Sequence, residues 1–298
     1  MRPTRALLVL AAACAAAAGQ APGAPIRIVT LSTVLTEIAR EVGGTEVSVS
    51  GLVQPGVDPH EFNPSPADVR KLVDADLVLA SGLRLEPYLD RVVASSASSG
   101  LVVAVGDRVP LILSVAEAPS APAEKDPHWW HSIGNMIFAT ELVRLELTRL
   151  RPASAGAFAA NAGRYRRRLE ELSSWASREV ARLPAGRRIL VTSHDAFGYL
   201  AHDYGFTVRP VGGLSTESEV DARRLSGLVD FVRAEKVRAV FIESGASPKL
   251  VENLLQETGA RLGGTLYADG LGAAGSGAED YVSMYRHNLS AIVDALAP

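Results

Sequence analysis

The 298-residue chain is predicted to be an α/β protein of two βα lobes with mostly parallel sheets, joined by one long rigid helix. Three observations predict this. Short apolar runs alternate with amphipathic stretches from residue 26 onward, the alternation lapses in mid-chain, and it resumes near residue 187. The gap is filled by roughly 28 residues of unbroken helical pattern, about 42 Å of helix, which is more than one lobe needs.

The first lobe is assigned to residues 26–150. IRIVTLS (26–32) reads as a strand, TVLTEIAREVGG as a helix ending at Gly43-Gly44, and VSVSGLV as the next strand. Ser65 followed by Pro66 is a helix start, an N-cap with proline in the first turn. DLVLASG and LVVAVG are short apolar runs suited to a buried parallel sheet. The stretch 107–125, with Pro119 and Pro122 among small residues, reads as a surface loop. A helix is then predicted from Asn135 to Leu150, stopped by Pro152.

Residues 153–184 form the predicted linking helix, with Phe158, Tyr165, Leu169, Leu172 and Val180 on one face. The second lobe, 187–298, repeats the alternation: strand RRILVTS, helix AFGYLAHDYG, helix DARRLSGLVDFVRAEK, strand RAVFIES, helix SPKLVENLLQETG, strand GGTLYAD and helix AEDYVSMYRHNLSAIVDAL. Two such lobes leave a cleft, and in α/β folds ligands sit at the carboxyl ends of the strands.

The N-terminus has a different character. Arg2 and Arg5 precede an apolar run and then small residues, the layout of a secretory signal peptide over residues 1–21. The run is too short to span a bilayer, which takes roughly 20 apolar residues. Export to the periplasm or to the outer face of the cytoplasmic membrane is therefore expected. Cys14 is the single cysteine, which excludes an intrachain disulfide. Ala11-Ala12-Ala13-Cys14 loosely resembles a lipobox, so cleavage before Cys14 with attachment of a lipid anchor is the alternative to ordinary signal removal. With 47% hydrophobic and 21% charged residues and a net charge of −3, the chain is a globular protein with no electrostatic reason to bind nucleic acid.

With no thiol in the folded part, any metal site must come from His, Asp and Glu. His60 follows a strand and a short loop, His128 follows the Pro-rich loop, and His194 and Asp269 each follow a strand. One histidine after a strand is usually an ordinary residue. Four candidate ligands at one rim are not, and three imidazoles with one carboxylate make a zinc-compatible tetrahedral shell. Pro59 and Pro64 restrict the backbone around His60, which lowers the entropy lost when its loop closes on an ion.

The stretches VQPGVDPHEFNPSPADVRKLVDADLVLASGLRLEPYL, DPHWWHS, VTSHDAFGYLAHDYGF, LYADGLG and YVSMYRHNL together resemble the zinc and manganese solute-binding proteins of ABC importers. The likeness runs from about residue 26 to 297. It implies a metal held in the cleft between the lobes, with ligands at His60, His128, His194 and Asp269, and a membrane permease as partner to a monomeric binding protein. Zinc is the expected cargo and manganese the alternative, because manganese-preferring relatives tend to carry a carboxylate at the position of His194. Two departures stand out. The loop between the first two ligand motifs lacks the His-rich character of many zinc-binding members, and the second motif continues as Trp130-His131-Ser132-Ile133 where the family commonly has Asp-Pro.

His131, three residues from His128, is a rival ligand on spacing alone. Glu243, at a strand end, is a candidate partner for a ligand's second ring nitrogen. His202 and His287 fall within predicted helices, as exposed or packing residues. A secreted zinc hydrolase is the competing class, and the sequence argues against it: HExxH, the G-x-S-x-G elbow and a phosphate-binding glycine loop are all missing. An adhesin with an incidental metal site would be a role added to the same fold. Unperturbed imidazoles titrate near 6.5, so metal affinity is expected to fall as pH drops through roughly 6 to 5.

Overall fold

The computed structural model describes residues 23–89, 101–112, 124–216 and 222–297. The signal segment 1–21 with Cys14, and residues 113–123 of the Pro-rich loop, lie outside the described residues.

In the first lobe the elements are β1 (Ile26–Thr30), α1 (Thr33–Gly43), β2 (Val47–Gly51), α2 (Pro66–Asp74), β3 (Leu77–Ala80), β4 (Leu101–Ala104) and α3 (Ile133–Leu150). Its four strands pair in parallel in the order β2-β1-β3-β4. The long helix α4 (Ala155–Val180) follows. Then come β5 (Ile189–Thr192), α5 (Gly198–Tyr204), β6 (Thr207–Pro210), α6 (Ala222–Ala234), β7 (Ala239–Glu243), α7 (Lys249–Thr258), β8 (Arg261–Leu266) and α8 (Tyr281–Leu296). This second sheet is also parallel, in the order β6-β5-β7-β8. The two lobes thus share one strand permutation. In each, the order reverses beside the first strand, and that reversal opens a crevice at the carboxyl ends.

Two sequence expectations are corrected. The strand β6 was not anticipated: TVRP is only four residues long, lies at the sheet edge and alternates between exposed and half-buried positions, so it has no apolar run to announce it. Its closing proline is tolerated because an edge strand has a free side. Helix α3 starts at Ile133 rather than Asn135, because the hydroxyl of Ser132 accepts the Asn135 N–H at 3.4 Å and caps the helix two residues earlier.

Helix α4 has 26 residues, about 39 Å of helix. Phe158, Ala162, Tyr165, Leu169, Leu172, Ala176 and Val180 form its buried stripe, and it packs on α1 and α3 of the first lobe and on α8 of the second. One apolar cluster consequently runs through both lobes, from Val34 and Leu35 through Trp129, Trp130 and Phe158 to Phe197, Met284 and Tyr285. A polar tie reinforces it. The Glu37 carboxyl of α1 accepts the Tyr165 hydroxyl of α4 at 2.7 Å and the Tyr281 N–H of α8 at 2.7 Å. Burial pushes that carboxyl up to about 7. Among the described residues no helix is long and apolar enough to cross a membrane.

Candidate metal site between the lobes

A repeated tripeptide shapes the first two histidines. In Asp58-Pro59-His60 the Asp58 Oδ1 accepts the His60 N–H at 2.8 Å, and in Asp126-Pro127-His128 the Asp126 Oδ1 accepts the His128 N–H at 2.9 Å. Proline has no N–H to compete, so the carboxylate reaches over it and fixes the backbone of the histidine. His60 lies in the loop after β2, and His128 heads a short 3₁₀ turn, Trp129–His131. His194 lies just past β5, where Thr192 Oγ1 donates to its carbonyl at 2.9 Å. Asp269 is not directly at a strand end, as the sequence suggested; β8 stops at Leu266, and Tyr267 and Ala268 intervene.

The structure brings all four residues together. His128 Nε2 is 3.3 Å from both His60 Nε2 and His194 Nε2. Asp269 Oδ1 is 3.5 Å from His60 Nε2, 3.4 Å from His128 Nε2 and 3.3 Å from His194 Nε2. These are five of the six separations in the cluster, and a regular tetrahedron with such edges would have its centre roughly 2.0–2.1 Å from each corner, the length of a zinc–imidazole bond. His60, His128 and His194 are buried, at 6%, 0% and 2% exposure. Asp269 Oδ1 is buried without a hydrogen-bond partner. An unpartnered buried carboxylate oxygen facing three imidazole nitrogens is costly unless a cation satisfies it.

The carboxylates behind the rings fix their orientation. His128 Nδ1 donates to Asp126 Oδ1 at 2.8 Å, and His194 Nδ1 pairs with Glu243 at the end of β7. Glu243 also accepts the His194 N–H at 3.1 Å. With Nδ1 given to a carboxylate, each ring turns its Nε2 to the centre, the arrangement that orients metal-binding imidazoles. Burial alone would lower the His128 pKa, but Asp126 and Asp269 outweigh it and raise it to about 9. His194 behaves alike, lifted well above the usual range by Glu243 and Asp269 against the effect of burial. Burial pushes the Asp269 carboxyl up, yet the facing His194 and His128 imidazoles hold it well below the usual carboxylate range.

Glu243 is thus the partner of His194, while Asp126 escaped the sequence reading. The signal was the second copy of Asp-Pro-His. Replacing Asp126 with Asn or Glu243 with Gln is expected to lower metal affinity about 10- to 100-fold while leaving the four donors in place. Competition against a fluorescent chelator measures this; unchanged affinity in both variants would remove the orienting role.

His131 does not join the cluster. Its Nε2 donates to the Ala268 carbonyl at 2.9 Å, and its ring packs against Phe197 at a centroid distance of 4.5 Å. Burial pushes its pKa down to about 4, so it is a neutral core residue. Trp130 Nε1 donates to the same carbonyl at 2.9 Å. The 3₁₀ turn that presents His128 therefore also grips the backbone one residue before Asp269, and so couples candidate ligands from opposite lobes. Across the cleft floor, Thr33 Oγ1 accepts the Leu271 N–H at 2.8 Å. Gly270 makes room for this contact, since a Cβ there would lie 2.4 Å from that hydroxyl. His202 is exposed and pairs with Asp203, and His287 binds the Thr265 carbonyl, both remote in role from the cluster.

The profile of the family described as zinc-uptake complex component A, periplasmic, matches residues 28–295. The chain belongs to the zinc-uptake complex component A family. Among its relatives, the zinc-binding protein TroA of Treponema pallidum is 37% identical over 284 residues, spanning 93% of this chain and 90% of TroA. The manganese-binding lipoprotein MntA of Bacillus subtilis is 35% identical over 286 residues, spanning 94% and 92%. The iron-binding protein YfeA of Yersinia pestis is 32% identical over 271 residues, spanning 91% and 85%. The solved structure of the periplasmic zinc-binding protein TroA from Treponema pallidum matches with a TM-score of 0.86 at 36% identity, covering 92% of this chain and all of that one. Members of the zinc-uptake component A family are metal-binding substrate-binding proteins of transport systems, so this chain is an exported metal-binding protein and not an enzyme. Its relatives are named for three different metals, which leaves the choice of metal to the chemistry of the site.

Proposed function

We propose that this protein captures zinc as cargo with His60, His128, His194 and Asp269 and hands it to the membrane permease of an ABC importer. The observation carrying this reading is the cluster of three imidazole nitrogens and one carboxylate oxygen, five of whose six separations are 3.3–3.5 Å and all of which lie within 4.8 Å of one another. Such a closed nitrogen-rich shell suits holding zinc, whereas oxygen-rich octahedral sites suit manganese. In this reading residues 26–150 and 187–298 are the two capture lobes, and 153–184 is the strut between them. MntA and the Streptococcus pneumoniae manganese-transport protein PsaA are named lipoproteins, which favours anchoring through Cys14 here.

The metal choice turns on His194. Changing it to Glu replaces a nitrogen donor with oxygen, so His194→Glu is expected to weaken zinc more than manganese and narrow the preference between them. Competition titrations on both proteins, with elemental analysis of the protein from its native compartment, test this. Manganese taken in preference to zinc at equal free concentrations would refute the zinc assignment.

A further inference from the structure

We propose that Thr216 is the gate of the cleft: its hydroxyl, bonded across the mouth to Asp58, holds the His60 loop shut and sets the rate at which the metal leaves. This rests on the cargo reading above and adds a residue that acts through Asp58 and not on the ion.

The three histidines are not held alike. His128 and His194 have Nδ1 tied to Asp126 and Glu243, whereas among the described residues His60 Nδ1 has no carboxylate partner. What anchors His60 is its backbone, through the N–H given to Asp58 Oδ1. The other oxygen of the same carboxylate, Oδ2, accepts Thr216 Oγ1 at 2.6 Å. Thr216 belongs to the second lobe, in the loop that follows β6. One carboxylate therefore fastens the loop of a candidate ligand on one side and the opposite wall of the cleft on the other.

Position supports a gate. Asp58 and Thr216 line the cavity over Asp269 together with Gln54 and Ser244, and both are only partly buried. The cleft floor is fixed separately, by the buried Thr33–Leu271 bond and by the grip of Trp130 and His131 on Ala268. Of the three histidines, His60 is the one whose ring no carboxylate holds, and its loop moves outward only after the Thr216–Asp58 bond parts.

The test uses the mature full-length protein loaded with zinc and mixed in stopped flow with excess chelator. Thr216→Val keeps the shape and removes the hydroxyl, so release should quicken about tenfold, the factor carried by a hydrogen bond to a charged acceptor. The association rate should stay near wild type, because encounter occurs with the mouth open. Thr216→Ser restores the hydroxyl and should restore slow release, which separates a bond from mere packing. Wild-type release from Thr216→Val overturns the gate, as does Thr216→Ser releasing as fast as Thr216→Val. A wild-type protein that takes up no zinc overturns the cargo reading itself, a result seen before any variant is compared.

Discussion

Replacing His128 with alanine is expected to lower zinc affinity by at least about a hundredfold, beyond what loss of an orienting neighbour costs, while His131→Ala leaves the four donors in place. The two residues lie on one 3₁₀ turn, both fully buried, with opposite roles. His128 sits at the middle of the cluster, in contact with both other imidazoles and with Asp269. Removing it deletes a donor and also strands Asp126, whose carboxylate loses its ring partner. His131 contributes a ring against Phe197 and one of two hydrogen bonds to Ala268. Its loss should cost about 2–4 kcal/mol of stability through the cavity and the weakened grip, with metal affinity reduced tenfold or less as Asp269 loosens. Chelator competition and thermal unfolding of the metal-free proteins give the two readouts. Equal affinity losses for the two variants would sink the assignment.

Zinc binding at pH 7 is expected to release protons. The sign follows from the carboxylates around the rings. They raise His128 to about 9 and lift His194 well above its ordinary value, so protons stay on this pair of rings at neutral pH in the metal-free protein. Zinc must displace those protons to reach Nε2, so affinity should keep rising from pH 6 to about 9. Unperturbed imidazoles would confine the change to roughly pH 6 to 5; Asp126, Glu243 and Asp269 move it upward. Stability of the metal-free protein runs the other way. The contribution of His128 is fully present below its unfolded pKa and is lost as pH rises through about 9. Calorimetry in buffers of different ionisation enthalpy counts the protons, and a count near zero at pH 7 would contradict the assignment.

The pattern of apolar runs was enough to read every described strand but one and the strut, because buried parallel strands and a one-sided helix leave strong periodic traces. Strand β6 left none, being short, polar and at an edge. The four candidate ligands, which the structure brings together, were legible as a set because each stands near a strand or loop end and because their surrounding motifs resemble a family. What they lean on was harder to see. Glu243 is 49 residues from His194 in sequence, and nothing local pairs them. The role of His131 depends on a carbonyl 137 residues away. Asp126 was readable in principle, since its spacing to His128 copies that of Asp58 to His60.

The apolar cluster that runs unbroken from one lobe into the other has a consequence for delivery. A receptor whose halves share one apolar cluster, beside the smaller cluster that each keeps to itself, cannot swing apart as a jaw without tearing that shared core, at a cost of many kcal/mol of exposed surface. Loaded and empty forms must then differ chiefly in the posture of a few residues at the rim, on the scale of a doorknob more than a door. A permease that distinguishes them would have to feel that small displacement, and would obtain the ion by turning a latch rather than by prising the walls.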